Sequence, residues 1–177
     1  MECLGCDLCI TRKNMVMPIG NINANIVIIS DYPRYMEDKT GIGYTSNSFK
    51  EFLLVLKEQN LTSNNVYFTH VLKCKPKRNE IEDYKELELD FHKCSKLNLN
   101  NEITDKMKLI VPLGAFVTNY LFGQQVNFAK VVNNDYTVGN RIIHPIYHPN
   151  FKVDRSDIVE LAKSYRRNIS PIHKVKL

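Results

Sequence analysis

Strand patterns alternating four times with amphipathic helices predict an α/β protein: a three-layer α/β/α domain around a central four-stranded parallel sheet. Three observations lead there. The strand candidates are continuous apolar runs, as in sheets covered on both faces. Segments of helical period separate them, supplying the crossovers that parallel pairing requires. At 177 residues the chain suffices for one well-buried core and is short for two.

The elements follow in order. "NANIVIISDYP" holds a buried strand that ends in a polar turn with a proline. In "SNSFKEFLLVLKEQN", Phe49, Phe52, Leu53 and Leu56 share one helical face, with Ser46 or Asn47 as cap. "NNVYFTHVLK" is rich in β-formers and reads as the second strand. Ile81, Tyr84, Leu87, Phe91 and Cys94 then recur at helical spacing. "KMKLIVPLG" is a third buried strand, and "AFVTNYLFG" a short helix ending at Gly123. The span 124–139 is the least patterned and reads as a loop or weak hairpin. "NRIIHPIYHPN" is the fourth strand, its Pro145 marking an edge or irregular position. "DIVELAKSYRRN" closes the series as a helix capped by Asp154 or Ser156. In such a sheet the site lies beyond the strands' C-terminal ends, here Asp31-Tyr32-Pro33, His70 to Cys74, Gly114 and His148-Pro149-Asn150.

Apolar residues make up 44% and charged residues 24%, an ordinary globular balance that excludes disordered and collagen-like classes. No apolar run approaches the roughly 20 residues of a membrane span, and acidic and polar residues interrupt any charged-then-apolar signal pattern in the first residues. A cytoplasmic protein in a reducing compartment, away from membranes, is the expectation. The net charge of +5 is compatible with nucleic acid as a partner. The basic residues cluster in "KCKPKRNE", from Lys73 to Arg78, and in "SYRRN".

Five cysteines stand at Cys3, Cys6, Cys9, Cys74 and Cys94. "CLGCDLC" contains two overlapping Cys-x2-Cys pairs, a spacing that serves zinc, iron–sulfur and thiol redox sites alike. The thiol redox reading is the weakest, because the pair does not follow a strand and open a helix. If the N-terminus folds over the edge holding Cys74 and Cys94, four thiolates gather around one centre. Spacing does not separate tetrahedral zinc from a [4Fe–4S] cube, and a buried apolar role remains open for Cys94.

"CLGCDLCITRKNMV", "NIVIISDYPRYMEDKTGIGY", "VYFTHVLKCKPKRN", "LIVPLGAFVTNYLFG" and "IIHPIYHPNF" occur in an order that resembles the iron–sulfur, family-4 branch of the uracil-DNA glycosylase superfamily, from about Cys3 to Phe151. The resemblance implies a [4Fe–4S] cluster held by Cys3, Cys6, Cys74 and Cys94, with Cys9 spare and zinc as the alternative. It implies a structural role for that cluster, an N-terminal arm over 1–20, a core over 21–168 and a tail over 169–177.

It also implies the pocket. Asp31, in place of a family Glu, orients water or faces the sugar cation. His148 donates to the departing base, a preorganised electrostatic role. Tyr32, Tyr44 and His70 form the base-binding set. Tyr44 takes the position of the family's base-stacking Phe, with a core place under the loop as its alternative. Tyr32 and Arg34 replace two small residues, their bulk filling the pocket mouth or Arg34 binding a phosphate. His70 replaces the Asn that reads the base edge, and an imidazole offers one group there where an amide offers two. Lys75, Lys77, Arg78 and Asn150 meet the DNA backbone. The expectation is a monomeric DNA glycosylase of base-excision repair, acting on uracil or a related damaged base in single- or double-stranded DNA. Its rival is a catalytically impaired module of the same fold that binds DNA or a replication or repair protein.

Overall fold

The structure, a computed structural model, describes residues 3–77 and 87–169. The first half runs α1 (Leu8–Thr11), β1 (Ile19–Gly20), β2 (Ile26–Ser30), α2 (Tyr35–Thr40), α3 (Asn47–Glu58) and β3 (Val66–His70). The second runs α4 (Glu88–Cys94), α5 (Asn100–Glu102), β4 (Leu109–Pro112), α6 (Gly114–Phe122), α7 (Phe128–Val131), β5 (Tyr136–Val138), β6 (Arg141–Ile143) and α8 (Arg155–Asn168). A π-helical turn, Ser95–Leu99, joins α4 to α5. Ile81 and Tyr84, read as the start of that helix, lie outside the described residues.

The sheet order is β1-β3-β2-β4-β6-β5. Its inner four strands are parallel, with Ile26 opposite Val66 on one side and Leu109 on the other, and Leu109 opposite Ile142. The expected four-stranded sheet is therefore present, extended to six strands by short antiparallel edges at β1 and β5. The weakly patterned span before β6 supplies α7 and β5, so its hairpin is real. Pro145 falls just beyond β6, whose pairing resumes only at the bridge between Leu113 and Ile146.

Every residue of β2, β3 and β4 is buried because both faces are covered. Side chains alternate between the faces. Ile26, Ile28, Val66, Phe68 and Val111 pack with Phe49, Phe52 and Leu56 of α3 and with Ile158 and Leu161 of α8. Val27, Ile29, Tyr67 and Ile110 pack with Phe91, Cys94 and Val117 on the other side. Ser46 Oγ caps α3 by accepting from the Phe49 amide at 3.3 Å, and Asp154 caps α8 by accepting from the Ser156 amide at 2.9 Å. Among the described residues no helix is long and apolar enough to cross a membrane.

Candidate active site and cysteine-lined cavity

The C-terminal ends of the central strands bring together residues from opposite ends of the chain. Asp31 follows β2 directly and is 3% exposed. Its Oδ1 accepts from the Tyr32 amide at 2.7 Å and from Ser30 Oγ at 3.2 Å, and its Oδ2 from Arg34 Nη2 at 3.1 Å. His148 Nε2 stands 3.0 Å from Ser30 Oγ and 3.5 Å from Asp31 Oδ1. On the far side of that ring, Nδ1 accepts from the Asn150 amide at 3.1 Å, so Nε2 carries the proton in the neutral ring. Burial works against charge on Asp31, but His148, Arg34 and the Tyr32 amide outweigh it and hold its carboxyl well below the usual range.

A glycine makes this geometry available. Gly114, at φ +82°, opens α6, and a Cβ there would sit 3.1 Å from His148 Cβ.

Behind Asp31 lies a second carboxylate that the sequence did not single out. Glu37, fully buried on α2, accepts from the Arg34 amide at 2.7 Å and from the Tyr44 amide. His70 Nε2 is 3.5 Å from Glu37 Oε1, a close approach outside hydrogen-bond geometry. Burial opposes charge on Glu37, and the His70 contact and the two amides still lower its carboxyl. The only hint in the sequence was its place in the "MEDKTG" segment of the resemblance.

His70 is 1% exposed and packs on Tyr44 at 4.9 Å between ring centroids. Tyr44 does not present an open face. Its ring packs on Phe49 at 4.5 Å and Phe68 at 5.2 Å, and its hydroxyl donates to the Thr69 carbonyl at 2.7 Å. Tyr32 is buried under the Arg34 guanidinium, whose carbon lies 3.8 Å from the ring centroid.

The basic segment divides. Lys77 is exposed, and Lys75 is half-buried with Nζ donating to the Pro76 carbonyl at 3.0 Å. Arg78 lies outside the described residues. Asn150 is exposed beside His148, and Phe151, which the sequence left without a role, is 83% exposed next to it. Lys73, counted with the phosphate-facing cluster, is instead 1% exposed. Its Nζ donates to Glu102 Oε2 at 2.7 Å, to the His70 carbonyl at 2.8 Å and to Thr69 Oγ1. Its partner Glu102 comes 29 residues later, which no local pattern could reveal.

All five cysteines are reduced and line one cavity together with Arg12. Arg12 Nη1 is 3.1 Å from Cys74 Sγ, and the Lys73 amide and Asn98 Nδ2 are 3.4 and 3.5 Å from Cys94 Sγ. Burial pushes the Cys6 and Cys74 thiols up and that of Cys94 up to about 11. Cys74 and Cys94, buried sulfurs that receive N–H donors, suit a centre carrying its own positive charge. Among the described residues, however, no three His, Cys, Asp or Glu side chains are arranged to hold one metal ion.

The fold and site define an α/β protein in which a carboxylate faces an imidazole at the ends of central parallel strands, an arrangement suited to cleavage by water. The sequence model of the Uracil DNA glycosylase superfamily matches residues 17–162, and the chain belongs to that superfamily. It is 29% identical over 153 residues to the Type-4 uracil-DNA glycosylase of Thermotoga maritima, covering 85% of this chain and 77% of that protein. Identity to the Archaeoglobus fulgidus Type-4 uracil-DNA glycosylase is 28% over 180 aligned positions, covering 97% and 88%. For the Sulfurisphaera tokodaii protein of the same name it is 30% over 159 positions, covering 84% and 70%.

Proposed function

We propose that the protein is a uracil-DNA glycosylase of base-excision repair, hydrolysing the N-glycosidic bond of a uracil flipped out of DNA. The meeting of Asp31 and His148 carries this reading, because it joins a stably ionised carboxylate to a ring N–H donor. The His148 Nε2–H, held by Ser30 at rest, turns to the base O2 and stabilises the negative charge that builds as the C1′–N bond breaks. Asp31 faces the cationic sugar and orients a water. The water's oxygen bonds to C1′, the base departs with the bonding electrons and takes up a proton, and an abasic site remains. Lys75, Lys77, Arg78 and Asn150 grip phosphates, giving affinity that falls with salt. Phe151 offers an apolar wedge for the space the flipped base vacates.

Cys3, Cys6, Cys74 and Cys94 would hold a [4Fe–4S] cluster, which when bound staples the arm to the sheet and adds its binding energy to folding. One zinc with bonds of about 2.3 Å draws its sulfurs within about 4.6 Å of one another. A cube would give each of four sulfurs its own iron, and the thiols here share one cavity.

Incubation with uracil-containing single- and double-stranded DNA, followed by alkali, tests the activity. Strand breaks that disappear in His148→Ala support it, and their absence with the wild-type chain refutes it.

A second reading has its own observation. His70 and Tyr44 are buried against each other, Arg34 pairs with the Asp31 carboxylate while lying over the Tyr32 ring, and Asp31 is 3% exposed. A DNA-binding module with impaired catalysis fits that closed pocket, and tight DNA binding without strand breaks would be its signature.

A further inference from the structure

We propose that Cys9 is a fifth, exchangeable ligand of the cysteine cavity, able to take the place of Cys3; this rests on the cluster reading above. Five thiols line a cavity in which a cube with one cysteine per iron uses four. Cys3 and Cys9 lie three positions either side of Cys6, so each forms a Cys-x2-Cys pair with it. The Cys9 amide donates to the Cys6 carbonyl at 3.1 Å, closing the turn that brings Cys9 back toward the cavity. Leu8, buried beside it, anchors that turn in the core.

Cys3 and Cys9 also share their neighbours. Both line the cavity together with Cys74 and with the Arg12 guanidinium that donates to it. Packing does not explain Cys9, which is half-exposed, unlike the buried Cys74 and Cys94. Replacing Cys3 by Cys9 keeps Cys6, Cys74 and Cys94 in place and moves the fourth bond along one short turn. The arm thus carries two alternative ways of completing the same ligand set.

Iron and acid-labile sulfide analysis of the full chain, purified without oxygen, tests the idea. Cys9→Ser and Cys3→Ser should each retain about four irons, whereas the Cys3→Ser/Cys9→Ser double variant should lose them. Loss from Cys3→Ser as complete as from the double variant overturns the proposal. Iron release to a chelator gives a second readout in well-folded protein. Cys9→Ser should release iron several-fold faster than wild type, because no replacement ligand stands by, and equal rates overturn the proposal. A wild-type chain without iron would instead refute the cluster reading on which it rests.

Discussion

Ser30 Oγ lies 3.0 Å from His148 Nε2 across 118 residues of chain, and the same hydroxyl donates to Asp31 at 3.2 Å. The serine therefore relays between the two groups assigned to catalysis and sets the resting direction of the imidazole. His148→Ala should lower the single-turnover rate of base release by about 10²–10³, the scale of losing one preorganised donor. Ser30→Ala removes the hydroxyl's bonds to both His148 and Asp31 while leaving those two side chains in place, and should cost about tenfold. A Ser30→Ala rate equal to wild type would show that the relay does not orient the ring.

Glu37 holds the loop that carries Arg34 and Tyr44. It reaches back to the Arg34 amide from the first turn of α2, and it also accepts from the Tyr44 amide, where the backbone is left-handed at φ 61°. Glu37→Ala strands two buried donors and should destabilise the fold by about 1–3 kcal/mol for each. Glu37→Gln keeps one acceptor oxygen and should cost less. Urea unfolding of both variants measures the difference.

Lys73 and Glu102 form an internal ion pair rather than part of a phosphate-binding surface. Burial lowers the Lys73 ammonium pKa, and the Glu102 carboxylate beside it opposes that shift. Lys73→Met should cost about 3–5 kcal/mol by leaving the carboxylate without its cation. Adding Glu102→Leu should recover most of that loss. Salt-dependent DNA affinity, by contrast, should respond to Lys77→Ala and not to the paired Lys73/Glu102 change.

Acid should weaken the attachment of α8. Asp135 Oδ1 accepts from Ser164 Oγ at 2.6 Å and His144 Nδ1 at 2.8 Å, and Oδ2 from Asn168 Nδ2 at 2.9 Å and from Arg167. Burial alone would raise the Asp135 carboxyl, but these donors hold it well below the usual range. Burial lowers His144, which Asp135 supports and which Arg167 and Glu160 also face. Below about pH 6.5 the unfolded chain takes up a proton at His144 that the folded chain resists, so stability falls as pH drops. The ionised Asp135 adds stability above about pH 4 that is lost as pH falls through its lowered folded value. Melting temperatures should therefore decline from about pH 7 to 5. His144→Gln should flatten that slope while leaving the steeper loss at lower pH.

The central strands were legible because Ile26 to Ile29 and Leu109 to Val111 are buried on both faces and leave unbroken apolar runs. The edges β1 and β5 were not, since two and three residues are too few to set a period. Asp31 and His148 were found through motif resemblance, and their mutual placement follows from parallel pairing. Tyr44 shows where that route ends. Its position in a motif gives no orientation, and the ring packs among Phe49, Phe68 and His70 instead of standing open. Glu37 and Lys73 escaped for the opposite reason, because a charge reads as surface until its partners are known.

The clearance at Gly114 constrains how this chain can diverge. A methyl group there would stand 3.1 Å from the His148 Cβ on a backbone whose φ of +82° suits glycine, so a substitution at 114 strains the seat of that imidazole even with every polar side chain of the site retained. Descendants of this sequence are freer to vary the rim of the site than that single hydrogen atom.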